Sequence, residues 1–142
     1  EQRGDFIFPA KTNDGNWVPL SVAVPELAIK EKKYYFSERA VQGMKNAKNN
    51  MKRGLAQNLD EPCLTVTSHL AKVSLNSRVL LVDPKKELYR RFTPLEAARI
   101  QSFPDNFVFA GTETTAYKQI GNAIPPVLFW HITDAIVKYL GE

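Results

Sequence analysis

The chain has 142 residues, 44% of them apolar and 24% charged, and a formal net charge of +4. That composition supports one modest core and excludes a disordered tail. It also excludes a transmembrane helix, because the longest apolar runs are four or five residues, such as Val79-Leu80-Leu81-Val82, against the roughly 20 needed to span a bilayer. A single cysteine, Cys63, rules out an internal disulfide and points to a reducing compartment; with His69 and His131 it makes no standard zinc pattern, so no metal is expected.

In chain order, residues 1–33 read as irregular. Gly4, Pro9, Asn13-Asp14-Gly15-Asn16, Pro19 and Pro25 punctuate them, and the apolar pieces between are short. Such a segment has little means of burying itself and is expected to lean on something else. Residues 37–52 read as a helix with Ser37 as N-cap, Ala40, Met44, Ala47 and Met51 on one face, and Gly54 as the stop. The charge excess sits here. Residues 1–36, 57–89 and 90–142 are each balanced, whereas 37–56 hold Arg39, Lys45, Lys48, Lys52 and Arg53 against Glu38 alone. A basic block in an otherwise neutral chain suggests an anionic partner, with a solvated helix face as the plainer alternative.

Leu64-Thr65-Val66-Thr67 alternates as a strand does, Arg78–Val82 reads as a second strand, and Leu88–Phe92 can return as its hairpin partner across Asp83-Pro84-Lys85-Lys86. Thr93-Pro94-Leu95-Glu96 carries the strongest local signal: threonine caps, proline takes the first helical position, and Glu96 reaches back. That helix should run to about Ser102, because Pro104 limits it. Phe103, Phe107 and Phe109 follow in a loop closed by Gly111. The stretch 118–126 reads as a linker in which Gly121 lets a backbone or ligand approach closely. A last helix starts at Pro125 or Pro126 with an apolar stripe of Leu128, Ile132, Ala135, Ile136 and Tyr139, and ends at Gly141.

No self-contained active site emerges. Cys63 could pair with His69 or His131, yet no glycine-rich turn or helix N-terminus supports a reactive thiolate. Thr65 and Thr67 would share a strand face and could donate to phosphate oxygens, as could Arg90-Arg91; ordinary β-propensity and surface charge are the alternatives.

From Arg91 the sequence becomes specific. Arg91-Phe92-Thr93-Pro94-Leu95-Glu96-Ala97-Ala98-Arg99-Ile100-Gln101-Ser102-Phe103-Pro104-Asp105 resembles the ninth motif of DNA cytosine-5 methyltransferases, and Tyr117-Lys118-Gln119-Ile120-Gly121-Asn122-Ala123-Ile124-Pro125-Pro126 resembles their tenth. Upstream, Tyr34-Tyr35-Phe36-Ser37-Glu38-Arg39-Ala40 and Asp60-Glu61-Pro62-Cys63-Leu64-Thr65-Val66-Thr67 are similar to the target recognition domain of bacterial modification methylases. The departures are informative. The family's nucleophile lies in a Pro-Cys-Gln motif; here Cys63 follows Pro62, but Leu64 takes the glutamine place. The Glu-Asn-Val motif, the glycine-rich cofactor loop and the Gln-x-Arg-x-Arg motif are absent.

The resemblance implies the C-terminal, DNA-recognition part of such an enzyme, in a bacterial cytoplasm and a restriction-modification system. The fold class it implies is α+β: a small mixed recognition domain with a short β-hairpin over 1–89, then 90–142 with helices that pack on a catalytic α/β domain outside this sequence. S-adenosylmethionine is the implied cofactor, bordered by Gly121, Asn122 and Ala123. Duplex DNA is the implied partner, met by Thr65 near a flipped base, with the missing catalytic region as the second. Arg99 would brace the recognition domain, with Thr93 and Glu96 as structural caps. Glu1 is not a start methionine, so a segment of a longer chain or a split subunit is expected. A stand-alone DNA-binding module without activity is the alternative.

Overall fold

The computed structural model describes residues 18–46, 56–70 and 79–141. It is a mixed α+β fold: helix α1 (Glu38–Asn46), a two-stranded antiparallel hairpin of β1 (Val79–Asp83) and β2 (Leu88–Arg91), then helices α2 (Pro94–Ile100), α3 (Glu113–Asn122) and α4 (Pro126–Leu140). Single 3-10 turns occur at Leu20–Val22 and Lys32–Tyr34.

The hairpin closes where its sequence allows. Asp83 Oδ1 accepts from the backbone N–H of Lys85 at 2.9 Å and of Lys86 at 3.3 Å, a side chain standing in for a turn carbonyl. Glu87 takes a positive φ of 50°, and the register shifts between Leu81 and Asp83. Both outer edges are used: Tyr35 bridges to Arg90, and Ala56 bridges to Val79. An edge strand's open N–H and C=O groups are thereby covered by the chain's own loops.

Two apolar clusters flank this frame. The larger joins Leu20 and Val24, Val66 and Leu70, Leu80 and Phe92, Ala97 and Ala98 of α2, and Tyr117 and Ile120 of α3. The smaller joins Val41 and Met44 of α1 to Val79 and Tyr89. The expectation that the irregular N-terminal segment leans on other elements holds for its described part, since Leu20 and Val24 fill the main cluster.

Several expectations change. Ser37 accepts from Ala40 N at 3.3 Å as a cap should, but the buried face of α1 is Val41 with Met44 rather than Ala40 with Met44. Ala47, Lys48, Met51, Lys52 and Arg53 lie outside the described residues. Leu64–Thr67 is not a strand: it forms no ladder among the described residues and runs as an irregular segment that buries Val66. Alternation is a local signal, and a strand also needs a partner ladder. Helix α2 has the full capping box, with Glu96 N donating to Thr93 Oγ1 and Thr93 N to Glu96 Oε2, but stops at Ile100, before Ser102. Part of the stretch expected as a linker is instead the end of helix α3, which is ten residues long. Its threonines are poor helix formers. Thr112 nevertheless caps it by accepting from Thr115 N at 3.2 Å, and Ala116, Tyr117 and Ile120 anchor it by burial.

Candidate functional site

Helices α2 and α3 meet the 64–70 segment, and that junction brings together Thr65, Thr67, Gly121, Asn122 and Ala123. Gly121 lies in the last turn of α3 against the backbone of Thr67 and Ser68. A Cβ built there would stand 2.3 Å from Ser68 N and from Thr67 C. The close approach expected at Gly121 is therefore a backbone–backbone contact. It places the 65–68 segment directly on the turn that bears Asn122 and Ala123.

Thr65 is exposed. Thr67 is not its equivalent: its hydroxyl oxygen is buried and has no hydrogen-bond partner among the described residues, so it does not face solvent. Asn122 is exposed at the end of α3, and Ala123 leaves the helix in an extended conformation. Cys63 is half-buried beside the main cluster and donates to Leu64 O at 3.1 Å, which fits a packed thiol. His131 lies on α4 against the Trp130 ring at 4.9 Å.

Arg90 corrects an expectation outright. As a candidate phosphate contact it should face solvent, yet it is fully buried. Its Nε donates to Leu27 O at 2.7 Å, Nη1 to Arg91 O and Glu96 Oε2, and Nη2 to Glu26 O and Glu96 Oε1. A guanidinium has five N–H groups, and all are engaged. The side chain ties β2 to α2 and to the 26–27 segment and leaves nothing for DNA. Arg99, expected to brace the recognition region, is paired with Asp105 at 2.8 and 2.7 Å in a fork at the surface and lines the cleft that faces the 25–31 segment. The Asp105 carboxyl lies below its usual range because it accepts from Arg99. Lys45 is half-buried and paired with Glu87, while Arg39 is exposed.

A second polar group carries no signal in the sequence. Glu113, at the start of α3, accepts from Lys33, from Tyr34 OH at 3.0 Å and from Arg91 Nη2 at 3.3 Å. The Arg91 guanidinium carbon lies 5.5 Å from the Tyr34 ring centre and 5.8 Å from that of Tyr117, close enough for cation–π attraction. Burial raises the Glu113 pKa, but hydrogen bonds from Lys33 and Tyr34 outweigh it and hold it below the ordinary value. This tie is therefore present above the ordinary carboxylate range and is lost as the pH falls through the Glu113 value. No spacing announces it, because Lys33 and Glu113 are 80 residues apart.

Among the described residues, two clefts border α2. One, of about 670 Å³, lies between the 25–31 segment and α2; the other, about 320 Å³, lies between α2, the phenylalanine loop and α3. Neither is lined by residues 121–123. The exposed Asn122 amide offers a ligand a polar handle, and neither cleft reaches it.

Helix α4 departs most from a finished surface. It has fifteen residues and none is buried; Phe129 is 54% exposed, Trp130 61% and Leu140 67%. The expected cap is present, with Gly141 at φ 80°. No helix among the described residues is long and apolar enough to cross a membrane.

Comparison with known proteins gives the frame for this geometry. The chain is 42% identical over 80 residues to the type II methyltransferase M.AplI of Arthrospira platensis, covering 55% of the chain and 22% of that protein. It is 40% identical over 93 residues to M.Sau96I of Staphylococcus aureus, covering 64% and 20%. It is 54% identical over 57 residues to M.NgoPII of Neisseria gonorrhoeae, covering 39% and 17%. The chain thus spans about a fifth of the length of these relatives. No solved structure matches it. Residues 11–138 match the C-5 cytosine-specific DNA methylase family, and the chain belongs to that family.

Proposed function

We propose that this chain is the C-terminal DNA-recognition part of a type II DNA cytosine-5 methyltransferase of a bacterial restriction-modification system, working with a catalytic region it does not itself contain. The observation that carries the reading is α4. Fifteen residues with a broad apolar surface and no buried member form a helix made to be covered. In the proposed assembly it packs on the catalytic α/β domain, so residues 90–142 complete the cofactor-binding domain and residues up to 89 form the recognition domain. A stand-alone DNA-binding module would have no use for such a face.

S-adenosylmethionine, when bound, supplies the methyl group. In this chain Asn122 would present its amide to the cofactor and Ala123 would leave room beside it. Thr65 would meet a phosphate near the target cytosine, which must leave the stack for its carbon 5 to be reached. The nucleophilic thiolate is assigned to the catalytic region, because Cys63 is packed beside the core and tied to Leu64 O.

Asn122→Ala in the complete enzyme tests this assignment. Loss of one hydrogen bond costs about 1 kcal/mol net, or roughly a fivefold weaker cofactor dissociation constant by calorimetry. An unchanged constant would remove Asn122 from the pocket.

The basic block gives an independent test. If Arg39, Lys48, Lys52 and Arg53 meet phosphates, neutralising Lys48 and Lys52 to glutamine weakens cognate and non-cognate DNA alike. The slope of log affinity against log salt then shrinks by roughly 0.9 for each phosphate no longer neutralised. A constant slope would make the block a solvated face. Lys45 is less suited to this role, since Glu87 already holds it.

A further inference from the structure

We infer that Gln101 and Ser102, the two residues that follow α2, are positioning residues for the cofactor edge at Asn122 and Ala123, an inference that rests on the function proposed above. Gln101 is buried, and its amide nitrogen donates to Ile120 O at 2.9 Å and to Ala123 O at 3.3 Å. An amide nitrogen has two N–H groups, and these two acceptors bracket Gly121 and Asn122. The last carbonyls of a helix lack partners within it. Beyond α3 the chain has few donors of its own, because Pro125 and Pro126 carry no N–H. Ala123 N reaches Gln119 O and Ile120 O from within the turn, and Gln101 adds a donor from outside it.

Ser102 holds the other end. Its Oγ accepts from Val127 N at 3.1 Å, at the start of α4. Its backbone takes a φ of 62°, uncommon outside glycine. Two consecutive side chains thus grip residues 120, 123 and 127, and the exposed Asn122 lies between the grips. Both act through the turn, since the Gln101 amide nitrogen is occupied by backbone carbonyls and the Ser102 oxygen by a backbone N–H.

The test sets three variants beside Asn122→Ala in the complete enzyme. Gln101→Met keeps length and apolar volume and removes both donors. Cofactor affinity, measured without DNA, should fall roughly tenfold, the equivalent of one or two net hydrogen bonds. DNA affinity at saturating cofactor should stay nearly constant. Gln101→Glu sets a carboxylate against two carbonyls. It should bind cofactor poorly when ionised and recover as falling pH restores a donor. Residues 119–127 carry no titratable side chain, so the new carboxyl is the group that titrates in this turn. Ser102→Gly guards against simple unfolding: glycine suits the positive φ, so stability is kept while the hydroxyl is lost. Its cofactor affinity should still fall. Unchanged cofactor affinity in Gln101→Met and Ser102→Gly, with Asn122→Ala weakened, overturns the inference and leaves the proposed function standing. An unchanged Asn122→Ala removes the proposed cofactor edge and the inference together. A pH-independent loss in Gln101→Glu, with Ser102→Gly like the parent, also overturns the inference.

Discussion

Replacing Gly121 by alanine is expected to destabilise the fold by about 1–3 kcal/mol, whereas the same exchange at Gly43 should stabilise it by up to about 1 kcal/mol. Both glycines lie in helices, Gly121 in the last turn of α3 and Gly43 in α1. Alanine is the better helix former, so propensity alone favours both changes. The surroundings separate them. A Cβ at Gly43 meets nothing within 4 Å, while one at Gly121 would stand 2.3 Å from the backbone of Thr67 and Ser68. Backbone cannot rotate aside as a side chain can, so either α3 or the 65–68 segment must shift. Because that segment bears Thr65, DNA affinity should fall with stability in Gly121→Ala and not in Gly43→Ala. Urea denaturation and DNA binding of the two variants within the enzyme check this. Equal stabilities would mean that the two segments do not touch.

Removing Arg90 is expected to cost more. Arg90→Met leaves the Glu96 carboxylate buried without its cation and removes the hydrogen bonds that Arg90 donates to the carbonyls of Glu26, Leu27 and Arg91. Breaking a buried ion pair from one side typically costs about 3–5 kcal/mol. Arg90→Lys should recover only part, because three donors on a point charge cannot reproduce a five-donor fork. Glu96→Gln should be milder than Arg90→Met, since the amide can still accept from Arg90 and from Thr93 N. A shift in the denaturation midpoint of the expected size supports an internal tie. A loss of DNA affinity at unchanged stability would restore the phosphate-contact role.

The capping box at Thr93 and Glu96, the hairpin of β1 and β2, and the proline start and glycine stop of α4 are local features, written in residues a few positions apart. They are legible in the sequence for that reason. Arg90 reads as a surface cation because its partners include carbonyls 63 and 64 residues away. Thr67 reads as the twin of Thr65 because period-two alternation assumes a strand, and the segment forms none. Helix α3 is hidden by its threonines, although Thr112 as cap and the spacing of Ala116, Tyr117 and Ile120 are available. The family itself is legible because two long motifs occur in order; the roles proposed for Asn122 and Thr65 come from that likeness, while the grip of Gln101 on the turn joins residues 19 and 22 positions apart and has no local signal.

The role proposed for this chain is to supply a cofactor edge and a DNA surface to a catalytic region located outside it. Radiolabelled methyl transfer from S-adenosylmethionine to duplex DNA measures it most directly, with the pure 142-residue chain assayed alone and after mixing with the complementary catalytic region. The expected result is no transfer by the chain alone and transfer restored by the mixture, abolished again when the apolar face of α4 carries Phe129→Asp and Ile136→Asp. Methyl transfer by the chain alone would contradict the account.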